Sequence, residues 1–403
     1  VERGLALHGA RRDLQWARLT LLEDRYSAIS SGAITAGLWL GHDREAVAVA
    51  RRLGNEDDYA RTLDPLVWRD RAETEDALKH VRTWSRPTAI LRGLNVVARD
   101  LFFRVGDLPS AADRYREFFA AARRYGSVPD QAEALAQLSS LLIMLGQFDD
   151  SRRTLADAQQ LVERLGPEHR LHFIVRVGTP TALAYFATAD WATLADRAYE
   201  YMASPFVLHS PLGLMSGACA ALAHVMTGNR EDARRVATSL VPLMEPLDPR
   251  FYMHNHVFSL VGAVVWELQA RDLAEVFLRL ADNFVRARVA PGVMAAHELT
   301  AARMSALLED WEQSGRWFTR ARVVEDACSH RPGRALVDFD EAMVLMLRCA
   351  GHTARAEQLL EAAAGQFNIL GMAPWISRSN SHPWRSSLRG DAAQSGQTGQ
   401  AEG

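Results

Sequence analysis

A chain of 403 residues, 48% apolar and 24% charged, can bury a large core and is not a disordered, collagen-like or disulfide-scaffold sequence. Its 46 basic and 49 acidic residues, net charge −3, are interspersed, so no electrostatic footprint for nucleic acid or an anionic membrane stands out. Single cores stop growing beyond about 250–300 residues, so this length calls for several domains or for a repeat that adds core as it lengthens.

The basic residues are almost all arginine; the one lysine, Lys79, lies in Glu75-Asp76-Ala77-Leu78-Lys79-His80. A phosphate-binding loop needs Gly-Lys-Ser/Thr after a glycine-rich turn, and a Schiff-base enzyme needs a lysine in an apolar pocket. Lys79 has neither setting. Cys219, Cys328 and Cys349 stand far apart with no Cys-x-x-Cys pair, which points to buried thiols in a reducing compartment. The longest uncharged apolar run, Val257 to Trp266, is about half a membrane span. These features predict a cytosolic protein. The chain opens on Val1 rather than methionine, so the reading frame is expected to continue upstream.

Along the chain, one signature recurs eight times: a small or glycine residue, a polar turn residue, then a helix-period stretch with a small residue five positions on. It is read at Gly41-His42 with Ala46, Gly106-Asp107 with Ala111, Gly146-Gln147 with Ser151 and Ala189-Asp190 with Leu194. It continues at Gly228-Asn229 with Ala233, Arg271-Asp272 with Val276, Glu309-Asp310 with Ser314 and Gly351-His352 with Ala356. After one long first interval the spacing settles near ~40 residues, a helix-hairpin solenoid period. Glycine tolerates the left-handed conformation that closes one helix, and the polar residue caps the next. The small residue then lets the paired helices approach. Leu194 and Val276 break that rule.

Residues 1–55 are read as a first hairpin region and 56–89 as an irregular helical insertion with a solvated charged face. Residues 90–372 are read as the solenoid. Strong faces such as Leu135, Leu138, Leu142 and Leu145 recur, no strand pattern is long enough to count, and prolines such as Pro129, Pro180, Pro211, Pro291 and Pro332 mark joints. The fold class is all-α. From 373 to 403 large apolar residues become scarce, and a disordered tail or linker is expected.

Chemistry-bearing constellations are sparse. His254 and His256, two apart, point in different directions on a helix. His169 and His172 share a face, but no cysteine or carboxylate completes a tetrahedral set. His297-Glu298 begins like a zinc-protease motif yet has Ala301 where the second histidine belongs. Gly213 to Gly217 has Gly-x-x-Ser-Gly spacing with no preceding strand, and reads as a helix-packing surface. Acidic groups at Asp57-Asp58 and at Asp338, Asp340 and Glu341 are placed near helix starts, where the dipole favours them. No catalytic residue, metal or cofactor is assigned.

What remains is surface. First helices of successive hairpins line the concave side of a solenoid. Arg92, Asn95 and Arg99 fall on one face and form either a partner-binding stripe or the wet side of an amphipathic helix. Gln131, Gln137, Arg176, Asn255 and Arg303 are further candidate contacts for a protein partner or small effector.

Ala48-Val49-Ala50-Arg51-Arg52-Leu53-Gly54-Asn55, Leu145 to Asp150, Arg331-Pro332-Gly333-Arg334-Ala335, Ala354 to Ala363 and Leu370-Gly371-Met372 follow one another as in a known type of arm. The chain resembles the tetratricopeptide-like carboxy-terminal arm of bacterial signal-transduction ATPases, the group that includes LuxR-type transcriptional regulators and multidomain adenylate or guanylate cyclases. The resemblance implies a right-handed superhelical solenoid. It also implies a non-catalytic sensor or scaffold role, with an upstream ATPase module and a protein or small effector as partners. A free-standing peptide-binding adaptor and an all-α toroidal enzyme are the alternatives.

Overall fold

The computed structural model describes residues 11–30, 36–63, 71–166, 169–203, 211–245, 249, 252–349 and 354–381. These are all-helical. Helices α1 (Leu14–Ser30) and α2 (Ala36–Leu53) pair around Trp16, Ala17, Ala46, Val49 and Ala50. The short α3 (Glu56–Arg61) starts on a capping box, in which Asn55 accepts from the Asp58 N–H and the Asp58 carboxylate accepts from the Asn55 N–H. It and α4 (Arg71–Val81) both lie against α5 (Pro87–Asp100, continued by a wide π turn at Leu101–Val105). Glu75 and Asp76 are exposed, as the charged face predicts; Arg69 and Asp70 lie outside the described residues.

From α5 onward the chain is a run of helix hairpins: α5 with α6 (Leu108–Tyr125), α7 (Val128–Met144) with α8 (Phe148–Val162), and α9 (residues 171–188) with α10 (Leu194–Met202). There follow α11 (Pro211–Met226) with α12 (Arg230–Met244), α13 (Tyr252–Leu268) with α14 (Arg271–Ala287), α15 (His297–Leu307) with α16 (Trp311–Cys328), and α17 (Arg331–Cys349) with α18 (Ala354–Leu370). A last helix, α19 (Ala373–Ser381), closes the series.

The two helices of a hairpin differ in kind. In α8 only one stripe is buried, Phe148, Ser151, Leu155, Ala158 and Val162, the spacing of a helix with one wet face. By contrast α7 is buried from Ala132 through Ser139 and again from Leu141, and α15 from His297 through Ala306. Helices α11, α13, α15 and α17 touch in succession, so the first helices are the inner layer and the second ones the outer.

The hairpin turns explain the recurring signature. Gly106, Gly146, Ala189, Gly228, Gln269 and Glu309 all take positive φ, at intervals of 39 to 43 residues. Asp107, Asn229 and Asp310 then cap the outer helices by accepting from the backbone N–H three residues on. Five residues past every one of these turns except Ala189 the side chain is small and fully buried: Ala111, Ser151, Ala233, Ala274 and Ser314. Two of these reach across the pair: Ser151 Oγ donates to the Ser139 carbonyl (2.8 Å) and Ser314 Oγ to the Ala302 carbonyl (2.9 Å).

Two readings of the signature are corrected. Gly41-His42 lies inside the continuous helix α2; histidine is not an N-cap residue, so nothing there competes with helix continuation. Arg271-Asp272 is out of register, because the left-handed turn residue is Gln269 (φ 52). The buried small residue is therefore Ala274, not Val276. The Gly351 turn falls outside the described residues. Leu194 remains an exception: α10 is a helix of nine residues entered through a turn in which the Leu194 N–H donates to the Trp191 carbonyl (3.1 Å).

Three further expectations change. Pro180 is not at a joint but inside α9, directly after a π segment at Ile174–Gly178. A wide turn there spares the i−4 bond that proline cannot make. Asp338, Asp340 and Glu341 sit within α17 rather than at its start, held by arginines: Arg322 and Arg334 on Asp338, Arg303 on Asp340, and Arg322 on Glu341. Residues 373–381 are not tail: Trp375 is buried, and its Nε1–H donates to the Tyr185 carbonyl (2.8 Å). Residues 382–403 lie outside the described part.

The hairpins also interlock over long distances. Inner helices α7 and α17 touch. A Cβ added at Gly106 would stand 2.9 Å from Cys328 Sγ, and one at Gly146 would stand 2.6 Å from Leu370. One hydrophobic cluster accordingly runs from Ala132 to Trp375, and the neighbouring one joins Leu101 and Phe102 to Cys328.

Candidate functional site

Five inner helices converge on one cavity of about 100 Å³. Its walls are Phe102 and Phe103 from the π turn of α5, Gln137 and Ser140 from α7, and Phe173, Ile174, Gly178 and Thr179 from α9. Leu212 and Met215 of α11, His256 and Leu260 of α13, Val293 before α15 and Arg170 before α9 complete it. Most of this surface is apolar, with aromatic rings on one side. The π turn matters locally: an extra residue per turn places the adjacent Phe102 and Phe103 both on the cavity, their rings stacked at 4.1 Å.

The polar groups are few and ordered. His256 packs edge-on to Phe103 (5.5 Å), and its Nδ1 accepts the Val293 N–H at 3.0 Å. That bond fixes the tautomer with hydrogen on Nε2. Burial lowers the imidazole pKa to about 4, so the ring is neutral at physiological pH. The Ser140 and Thr179 hydroxyls are hydrogen-bonded to each other at 2.9 Å. The Gln137 amide nitrogen donates to Glu133 Oε1 (3.2 Å), and Arg170 Nη2 to Glu133 Oε2 (2.5 Å).

Glu133 is the anchor of this ring. Burial works against its charge, but Arg170 and Arg99 outweigh that, and its carboxyl is held below the ordinary glutamate range. Burial, aided by the Arg170 charge, lowers the pKa of the neighbouring His169. Arg170, with a side chain 39% exposed, stands where the cavity meets solvent.

Of the eight residues singled out from sequence, Gln137 alone lines this cavity. Arg99 lies close enough to act on Glu133. Arg92 and Asn95 are half-buried on the same face of α5, with Arg92 Nε and Nη2 and Asn95 Oδ1 lacking a hydrogen-bond partner among the described residues. Gln131 Nε2 instead braces α6 by donating to the Ala122 carbonyl (3.4 Å). Arg176 is exposed. Asn255 and Arg303 are interior rather than surface residues. Arg303 is locked in an ion pair with Asp340 (2.7 Å) beneath the ring of Trp266, because an inner helix has no wet face to give it.

The sequence reading missed Phe102, Phe103, Ser140, Arg170, Thr179 and Met215. One signal was present: Glu133, Gln137 and Ser140 recur at four- and three-residue steps on a helix rich in alanine and leucine. No group of three or more potential metal ligands occurs among the described residues, and no helix among them is long and apolar enough to cross a membrane. His297 is packed between Phe258 (5.6 Å) and Phe284 (5.0 Å), and burial takes its pKa to about 3.

Comparison with models of known protein families and with curated proteins returned no match for the chain.

Proposed function

We propose that this chain is a non-catalytic sensor arm of a bacterial signalling ATPase or transcriptional regulator. In this reading the hairpins form a right-handed, tetratricopeptide-like superhelix with a period near ~40 residues, whose inner face takes an effector. The observation that carries it is the convergence of five successive inner helices on one cavity with aromatic walls and an ordered polar ring. Such a site couples hairpins that are distant in sequence, so occupancy can change their packing and be felt at either end. The resemblance of the repeats to such arms supports the same role.

A peptide-holding adaptor would need a continuous inner groove, whereas α7 and α17 touch here. The reading is tested by the coding sequence upstream of Val1 and by the protein it encodes. An in-frame Gly-x-x-x-x-Gly-Lys-Ser/Thr loop is expected, with its nucleotide hydrolysis altered by Met215→Trp, which fills the cavity. A start codon directly before Val1 with no such loop overturns it.

A further inference from the structure

Most polar groups around the inner cavity already satisfy one another, and the few that do not define a ligand class; the inference rests on the reading of this chain as an effector-binding arm. We infer that the cavity takes a neutral alcohol of about three or four carbons, its hydroxyl held by His256 and its chain lying among the apolar walls.

Size sets the length. A dry apolar cavity of about 150 Å³ holds the six carbons of a benzene ring. At about 100 Å³, this one has room for roughly four non-hydrogen atoms. Phe102, Phe103, Phe173, Leu212, Met215 and Leu260 offer such a chain apolar contact. A phenyl ring or a longer chain would have to push these packed side chains apart.

Hydrogen bonding sets the head. Arg170 is engaged by Glu133, and the Gln137 amide nitrogen donates to the same carboxylate. The Ser140 and Thr179 hydroxyls bond to each other, and Ser140 Oγ also donates to the Ala136 carbonyl (3.4 Å), so both hydroxyl hydrogens are used within the protein. His256 differs. Its Nδ1 is taken by the Val293 N–H, which leaves the Nε2 hydrogen with no acceptor among the described residues. The ring is neutral and Arg170 is paired, so an ammonium or carboxylate head would be desolvated without a counter-ion. A hydroxyl accepts from Nε2–H and, with the same atom, donates to a lone pair of Thr179 Oγ1 or Gln137 Oε1. An amide head would by itself fill most of the available space.

The test titrates the whole chain with the straight-chain alcohols from methanol to hexanol, following the methyl signals of Met215 and Leu260 by NMR. Affinity is expected to peak at propanol or butanol, with a Kd of about 1 mM, within the ceiling for so few atoms, and to fall for pentanol and hexanol. Partition onto an apolar surface instead gains about fourfold with each added CH2, so a steady rise through hexanol overturns the inference. His256→Phe keeps an aromatic ring and removes the donor. It is expected to weaken propanol about three- to tenfold and to change propane-1-thiol, whose sulfur accepts poorly, by less than about twofold. Propanol binding that is unchanged in this variant, or that falls no more than the thiol's, removes the hydroxyl contact and with it the inference. The chain-length maximum is read on the unmodified chain, so a variant that fails to fold leaves the test standing. No binding by any of the alcohols also overturns the inference, and the ATPase measurement above then judges the sensor reading separately.

Discussion

The ion pair between Arg303 and Asp340 shows what a charge does when its helix has no outer face. Both side chains are 2% exposed; burial pushes the Asp340 carboxyl up, against the pull of Arg303. Removing one partner strands the other, so Arg303→Met is expected to cost about 3–5 kcal/mol, with Arg303→Met plus Asp340→Leu recovering most of it. Urea unfolding of the two variants checks this. A second prediction at this scale concerns pH. His256 and His297 have folded pKa values near 4 and 3, below the ordinary value of 6.5, so the unfolded chain binds protons that the folded one refuses. Stability is therefore full above pH 6.5 and falls as pH drops towards 4. Each histidine accounts for about 2 kcal/mol between pH 7 and pH 5. The loss seen in denaturant melts at the two pH values should shrink in His297→Phe; an unchanged loss would contradict the assignment.

At the scale of the element, the small residue one turn into each outer helix sets how closely a hairpin closes. Ala274 is fully buried, while Val276 is half-buried. Ala274→Leu is expected to destabilise by about 1–3 kcal/mol through overpacking, whereas Val276→Ala should cost under about 1 kcal/mol. The reverse order would restore the register that begins at Arg271. The misreading has a physical source. Asp272 looks like a cap, but the turn three residues earlier is made by Gln269 in a left-handed conformation that its side chain does not advertise. Where glycine makes the turn, as at Gly106, Gly146 and Gly228, composition and conformation agree and the hairpin is legible.

Across the whole molecule, α19 is a latch. Trp375 packs edge-on to Tyr185 (5.1 Å) and Phe339 (5.7 Å) and at a tilt to Phe367 (6.0 Å), and Arg378 donates twice to Glu267. It thereby ties residues from α9, α13, α17 and α18. Trp375→Ala is expected to cost about 3–5 kcal/mol, and truncation after Met372 should raise protease sensitivity across α17 and α18. An unchanged melting temperature in both would mean that α19 does not hold the fold closed.

By itself the sequence determined the helical class, the hairpin period and the small residues at the turns, because these depend on local dihedral preference and on apolar spacing within one or two helices. It also marked Gln137, a polar residue on an apolar inner helix. Only the tertiary structure decided that Arg303 and Asn255 are interior, that residues 373–381 are helix, and that Phe102, Arg170, Met215 and His256 meet at one cavity. Those residues lie on or beside different inner helices and are brought together by the packing of one hairpin on the next, which no local pattern records. The same physics makes an inner helix look featureless in sequence: buried on nearly every side, it shows no amphipathic stripe to say which of its faces meets a ligand.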